Sequence, residues 1–543
     1  MPQHRSTGVV LGRHTTQNMS VQLWHTSRQD QIQKTMEHRG TVKMILFLSI
    51  PRIAPVRPQH GPAVLKGICN ELSEPAEIVD INWDFFLGWG RSHKQAVNTL
   101  DNYFVEFATE LDHNTQQVYD AWLDSWVKRI VDKQPKLICI SVFSWQSQRF
   151  TRDILPRLRK HTDAKLLIGG QGLVHCQNLS ANWAPRADFG WEMLDTGMID
   201  YFMKGESENT FKQFLLGDTT VCNNDAFNKF YELDTAPEPD YTDYPVQHYN
   251  NGYKTGVLPI ESSRGCVRSC AFCEMSSEHG DYRGKSGRVL AEECIHYYHK
   301  YGVKDFYFHD DLMNGSLSDF RDFCNTLLKW YDYKGLPDRF FTFSGYWIIR
   351  KQSQWSESDW ATMARAGGNL FVVGIETGSD RLRKIMRKGF NNADLEFSIA
   401  QMHKNRLKFY FMLISGIPGE TETDFQESLD MLTRWQKYVA TGTIIGVNLG
   451  TTATIEEGSD LYRNPDRYKL RGLGNKPAHG INWICEDTPE LTYHERVRRR
   501  VKIQEHTQSL GYPLWKGNDH LRIIKDQYIL NQVEWDHEYR TRI

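Results

Sequence analysis

Residues 261–280 read ESSRGCVRSCAFCEMSSEHG and hold three cysteines within eight positions, Cys266, Cys270 and Cys273, spaced C-x3-C-x2-C. A structural zinc site takes four ligands, usually as two pairs. His279 and Cys294 are the nearest spare donors, so a C-x3-C-x2-C-x5-H zinc site is one reading. Three unlinked thiols in a loop would be a liability. An iron–sulfur cluster also draws thiolates from a closely spaced loop, and three of them on a four-iron cluster leave one iron open for chemistry. Gly265 suits a tight turn where backbone must approach a cofactor, and Phe272 sets an apolar ring directly before the third cysteine.

The stretch begins at the end of an apolar run, VLPIES (257–262), the first of six strand-like runs. The others are DFYFHD (305–310), RFFTFSGYW (339–347), LFVVGIE (370–376), KFYFMLIS (408–415) and TIIGVNLG (443–450). Amphipathic patterns such as LAEECIHYYHKYG (290–302), SDFRDFCNTLLKWY (318–331) and DFQESLDMLTRWQKYV (424–439) lie between them and predict helices. Six β/α units in series predict a parallel, partial (β/α)6 barrel over 257–487, with its chemistry at the C-terminal strand ends, where the cysteines fall.

A second α/β unit precedes it. VKMILFLSI (42–50), EIVDINW (77–83), KLICISVFS (136–144), KLLIGG (165–170) and the start of IDYFMKGESENTFKQFL (199–215) alternate with helical patterns at 62–72 and 153–161. An open, doubly wound, flavodoxin-like domain over 43–217 is the economical reading, with added helices in 88–133, where Trp122 and Trp126 stand at helical spacing. Residues 218–256, with Pro237, Pro239 and Pro245 and little periodicity, read as a linker. The region from 488 reads as helical, and its basic run ERVRRRVK (495–502) as a solvated helix face. Residues 1–42 read as a disordered or non-native extension, with Met36 and Met44 as alternative starts.

The 543-residue chain carries 65 basic and 67 acidic residues, a balance that argues against a nucleic-acid partner. Its apolar runs are too short to span a bilayer. Seven of the ten cysteines are scattered singly, which argues against a disulfide framework and for a reducing, cytoplasmic setting. Cys294 and Cys324, within helical patterns, read as core thiols.

C-x3-C-x-Φ-C after the first strand of a β/α barrel resembles the signature of the radical S-adenosylmethionine (SAM) superfamily. SRGCVRSCAFC (263–273), GESE (205–208), FHDD (308–311), GIETGSDRLRKIMRKG (374–389) and GIPGET (416–421) are similar, in order and spacing, to its cobalamin-binding branch. The resemblance implies that Cys266, Cys270 and Cys273 hold a 4Fe–4S cluster and that SAM is cleaved there to a 5′-deoxyadenosyl radical. It further implies SAM contacts from Phe272, Asp310, Asp311, Glu376, Ser379, Gly416, Pro418 and Gly419, with Glu420 supporting the loop, and an external electron donor of the flavodoxin or ferredoxin kind. Read without the resemblance, Asp310 and Asp311 are helix N-caps and the glycine turns simple punctuation.

For the N-terminal domain it implies cobalamin at the C-terminal strand edge. The matching positions are Pro51, Arg52, Ile53 and Pro55 after the first strand, Asp80 and Asn82 after the second, and Ser141 and Ser144 after the third. Gly169, Gly170 and Gly172 follow the fourth, and Gly205 and Glu206 the fifth. The cobalt-ligating D-x-H-x-x-G motif does not occur, and His60 reads as a solvated loop residue. The implied activity is cobalamin-dependent methylation of an unactivated carbon. Ring formation, rearrangement or oxidation on the same layout, a domain that has lost cobalamin, and an Fe–S sensor are the rivals. The substrate, small molecule or peptide, is not legible.

Overall fold

The structure, a computed structural model, describes residues 43–51, 53–105, 110–173, 188–249, 256–275, 280–450, 452–456, 458–473 and 483–513. The expectations for residues 1–42, Arg52, His279 and the chain beyond 513 fall outside them. Among the described residues no helix is long and apolar enough to cross a membrane.

The first sheet contains β1 (Ile45–Ser49), β2 (Ala76–Asp80), β3 (Leu137–Ser141), β4 (Lys165–Gly169) and β5 (Tyr201–Met203), in the order β2-β1-β3-β4-β5. Every pairing is parallel. Helices His60–Glu71, His113–Asp132 and Gln148–His161 return the chain between strands, so the central strands β1, β3 and β4 are covered on both faces and read as apolar runs, while the edge strand β2, AEIVD, is only partly buried. The register pairs Ser49 with both Asp80 and Ser141, Ser141 with Gly169, and Gly169 with Met203. The predicted edge residues Asp80, Ser141 and Gly169 therefore share one row. In the expected helical insertion, the Trp122 and Trp126 indole N–H groups both donate to Asp84, at 2.9 and 3.0 Å.

The second sheet contains β6 (Val257–Ile260), β9 (Asp305–Phe308), β10 (Thr342–Tyr346), β11 (Gly368–Glu376), β12 (Lys408–Leu413) and β13 (Ile444–Asn448), adjacent in chain order and all parallel. Between β6 and β9 a short antiparallel hairpin, β7 (Ser263–Arg264) with β8 (Arg283–Gly284), brackets the cysteine loop. A last antiparallel pair joins β14 (Leu470–Arg471) to β15 (Ile484–Cys485).

Residues 218–249, the described part of the expected linker, contain the fully buried Tyr241 and Tyr249, which belong to one apolar core continuous from the first sheet to the second. Polar ties run alongside: Lys66 Nζ lies 2.6 Å from an Asp243 oxygen, the Asn70 amide donates to Asp240 at 2.7 Å, and the Tyr249 hydroxyl donates to Asp80. Prolines and aspartates remove periodicity from this segment without making it loose.

The basic run 495–502 corrects a sequence expectation. Helix Tyr493–Ser509 buries Arg496, Arg499 and Arg500 instead of exposing them. Arg496 stacks 3.7 Å over the Trp483 ring, Arg500 donates to the Gly450 carbonyl at 3.0 Å, and Arg499 pairs with Glu420 at 2.8 Å. These partners are remote in sequence, and together they absorb the charge and donors that would otherwise keep the run in water.

Candidate active site

The cysteine loop is anchored on three sides. The β7–β8 hairpin closes its base, and Gly265 turns there at φ +75, where a Cβ would sit 2.9 Å from the Asp281 carbonyl oxygen. Ala271 donates to the Met386 carbonyl at 3.0 Å and accepts from the Leu461 amide at 2.9 Å. The Phe272 ring packs on Leu382, Met386 and Ile417, joining the loop to the helix after β11 and the turn after β12.

The three thiols are free and half-buried. Burial pushes the Cys266 thiol up, and Cys273 up to about 11. Backbone N–H groups oppose this, Arg268 at Cys266 and Met275 at Cys273, and the Lys388 ammonium adds a smaller opposing influence. Burial works against its ammonium charge, but Glu376, at 3.0 Å, and the neighbouring Cys270 and Cys273 outweigh it, so Lys388 stays charged. The ammonium also lies 5.5 Å from the Phe272 ring centre. Thiolate donors are favoured beside such cations, so the donor set fits a thiolate-held cluster. Lys388 carried no sequence signal beyond its place in GIETGSDRLRKIMRKG.

The neighbouring strand ends converge on this loop, though not every expected residue faces it. Asp310 is buried and accepts from the Ser262 amide at 3.0 Å and from the Ser262 hydroxyl. Its carboxyl is pushed well up by burial. The following helix is capped by Ser316, so Asp310 locks β9 to β6 and is not an N-cap. Asp311 lines the cavity at the mouth. Glu376 ends β11 after a bulge, at φ +68, a left-handed conformation that a non-glycine residue holds at a cost. Ser379 is turned away: its hydroxyl donates to Asp424 at 2.6 Å. Gly416 and Gly419 take φ +74 and +80, with Pro418 buried between them. The Gly416 amide donates to Glu420 at 3.1 Å, which makes Glu420 the internal brace of that turn.

At the edge of the first sheet a cavity of about 230 Å³ is walled largely by apolar side chains and by Ser141, Gly169, Gly170 and Gly205. Gly170 has φ +112, and a Cβ there would lie 2.5 Å from the Val142 carbonyl oxygen. Only glycine keeps this wall open. Gly172 is equally constrained, its Cβ position 2.5 Å from the Ser144 carbonyl oxygen. Asp80 and Asn82 are occupied elsewhere. Asp80 caps helix Ile81–Leu87 through the Trp83 amide, and burial raises it to about 6. Asn82 accepts from the Ile53 amide at 3.1 Å and holds the loop after Pro51.

A second cavity, of about 210 Å³, lies at the barrel mouth, lined by Asp310, Asp311, His309 and Glu261. The two cavities share Gly205, Glu206 and Arg264 as walls. Arg264, two residues before Cys266, reaches Glu261 at 2.9 Å, Glu206 at 2.8 Å and Glu208 at 2.5 Å. Glu206 also pairs with Arg283 at 2.7 Å. The Glu206 expected at a cofactor is thus a rivet between sheet edge and cysteine loop. His60 departs from the solvated-loop expectation: it lines the first cavity, bonds to the Tyr241 hydroxyl at 2.7 Å and packs 4.4 Å from the His309 ring. Burial and mutual proximity hold His60 unprotonated, and burial lowers His309 to about 4.

Residues 260–432 match the family described as Radical SAM superfamily. The chain is 25% identical over 256 residues to an uncharacterized methyltransferase of Pyrococcus horikoshii, covering 44% of this chain and 53% of that protein. It is 23% identical over 250 residues to the tryptophan 2-C-methyltransferase of Streptomyces laurentii, covering 43% and 39%. The chain thus spans about half or less of these relatives' lengths. Among solved structures it is similar to the radical S-adenosylmethionine methyltransferase TsrM from Kitasatospora setae, with tryptophan and a SAM analogue bound. That similarity has a TM-score of 0.56 at 14% identity and covers 87% of this chain and 90% of that one. TsrM with cobalamin and a [4Fe-4S] cluster bound is similar at TM-score 0.54 and 14% identity, covering 83% and 85%. The cysteine loop, the strand ends around it and the family match agree: residues 260–432 form a domain of the radical SAM superfamily.

Proposed function

We propose that the chain is a cobalamin-dependent radical SAM methyltransferase acting on an unactivated carbon. The single observation that carries this reading is the pairing of sites. The glycine-walled cavity of the first sheet and the cavity at the ends of β6 and β9 share Gly205, Glu206 and Arg264 as walls, and Arg264 stands two residues before Cys266. We further assign the first sheet, ordered β2-β1-β3-β4-β5, to the flavodoxin-like class, and the second to a partial (β/α)6 barrel.

When bound, a four-iron cluster with SAM supplies one-electron cleavage to a deoxyadenosyl radical, and cobalamin supplies a methyl carrier. The chain's own residues prepare for both. Cys266, Cys270 and Cys273 hold the cluster, and Lys388 offsets the thiolate charge. Phe272 and Ile417 of the Gly416–Gly419 turn offer SAM an apolar wall. Asp311 faces the mouth, where it can accept from an ammonium group. Gly169, Gly170 and Ser141 leave room for a flat apolar group against backbone. Glu206 and Asp310 line the cavities while tied to Arg264, Arg283 and Ser262, and Pro51, Asp80, Asn82, Ser144 and Ser379 stand outside their linings.

The test is anaerobic reconstitution of the full chain and of Cys270→Ala. The wild type should acquire the iron–sulfur absorption and cleave SAM. Cys270→Ala should lose both and still retain cobalamin. A wild type that holds zinc in place of iron and leaves SAM intact would overturn the reading.

A further inference from the structure

Three donors outside the cysteine loop come together where the two sheets meet. His60 arrives from the helix after β1, Glu261 from the end of β6 and His309 from the end of β9. One ligand atom from each lies within 4.8 Å of the other two. The Tyr241 hydroxyl lies 3.3 Å from the Pro259 carbonyl oxygen and 2.7 Å from His60 Nδ1. With the hydroxyl proton on Pro259, Nδ1–H donates to Tyr241 and His60 Nε2 keeps its lone pair, the arrangement a metal-ligating histidine takes from its supporting partner. His309 Nδ1 is buried without a hydrogen bond, and Nε2 lies 4.0 Å from Glu261 Oε1. Arg264 occupies one edge of Glu261 through two 2.9 Å contacts. Each carboxylate oxygen keeps a second lone pair.

We propose that His60, Glu261 and His309 form a binding site for a divalent transition metal of the zinc class, clamping the first sheet to the second. Two imidazoles and one carboxylate are a donor set that such ions take, with a fourth position left open. Tetrahedral bonds near 2.0–2.1 Å put donors about 3.3 Å apart, so side-chain rotations of an ångström or so close the set. Glu261 and His309 line the second cavity and His60 lines the first, so the site sits between the two. Neither the cluster nor cobalamin is needed for this site.

The three thiols would compete for zinc, so the test uses the tag-free full chain with Cys266→Ser, Cys270→Ser and Cys273→Ser. Zinc is titrated against a chromophoric chelator, and cobalt(II) serves as the optical probe. One equivalent of zinc should bind. Cobalt should show a nitrogen–oxygen spectrum without thiolate charge transfer. Zinc should raise Tm. Adding His309→Gln should abolish binding and the Tm rise. Tyr241→Phe, which keeps the packing, should weaken binding by about 10–100-fold. No zinc uptake by the triple-serine chain, or uptake unchanged by both His309→Gln and Tyr241→Phe, would overturn the proposal.

Discussion

Arg499→Met removes one half of a buried ion pair and keeps most of the side chain's volume. Arg499 and Glu420 side chains are 3% and 4% exposed and meet at 2.8 Å. Arg499 also donates to the carbonyls of Glu420 and Thr421, at 3.3 and 3.2 Å. Removing one partner of such a pair costs about 3–5 kcal/mol, because the other charge is left buried and uncompensated. Glu420 has a way out. Burial already raises its pKa, with Arg499 the main opposing influence, so without the guanidinium it should take up a proton. The loss should therefore be largest at alkaline pH and shrink as the solution is acidified. The full effect corresponds to a fall in Tm of about 6–20 °C for a domain of 150–250 residues. Glu420 also holds the Gly416 amide, so SAM affinity should fall with stability. Thermal unfolding at pH 6 and 9 and SAM titration of Arg499→Met, Glu420→Gln and the double variant complete the cycle. The double variant should be more stable at pH 9 than Arg499→Met alone. A single variant with unchanged Tm and SAM affinity would refute the bracing role of the C-terminal helix.

Three further outcomes are expected. Lys388→Met removes the cation beside the thiols. It should lower the cluster's reduction potential by roughly tens of millivolts and slow alkylation of the cysteines in cluster-free protein. Gly170→Val places side-chain atoms against the Val142 carbonyl, so it should abolish cobalamin retention on gel filtration while iron content is kept. Asp80 has a folded pKa of about 6, above the unfolded value. The folded form therefore binds the proton more tightly, and stability rises as pH falls from 7 toward 4. The gain is at most about 3 kcal/mol, and Asp80→Asn should flatten that part of the Tm–pH curve.

The alternation of strands and helices was legible because parallel strands buried on both faces are bare apolar runs, as in KLICIS and KFYFML. Motif spacing then put the cysteines, Asp311, Glu376 and Gly416 at one rim, since every parallel strand ends at the same side. What the sequence hid were partners chosen in three dimensions. ERVRRRVK has the composition of a solvated face, yet Glu420, Trp483 and Gly450 turn it inward. Ser379 stands at a strand end like a ligand, but Asp424, 45 residues on, takes its hydroxyl. His60 looked like loop surface until Tyr241 and His309 closed around it. Lys388 is one basic residue among several, and it meets Glu376, which follows a bulge in β11, only in the folded chain.

The most direct test of the central claim is cofactor stoichiometry on one sample of the full chain, reconstituted without oxygen and desalted. About four irons, four sulfides and one cobalamin per chain are expected, with S-adenosylhomocysteine or deoxyadenosine formed from SAM under reductant. A chain that carries the cluster but releases all cobalamin would contradict the two-cofactor account, whatever its activity toward SAM.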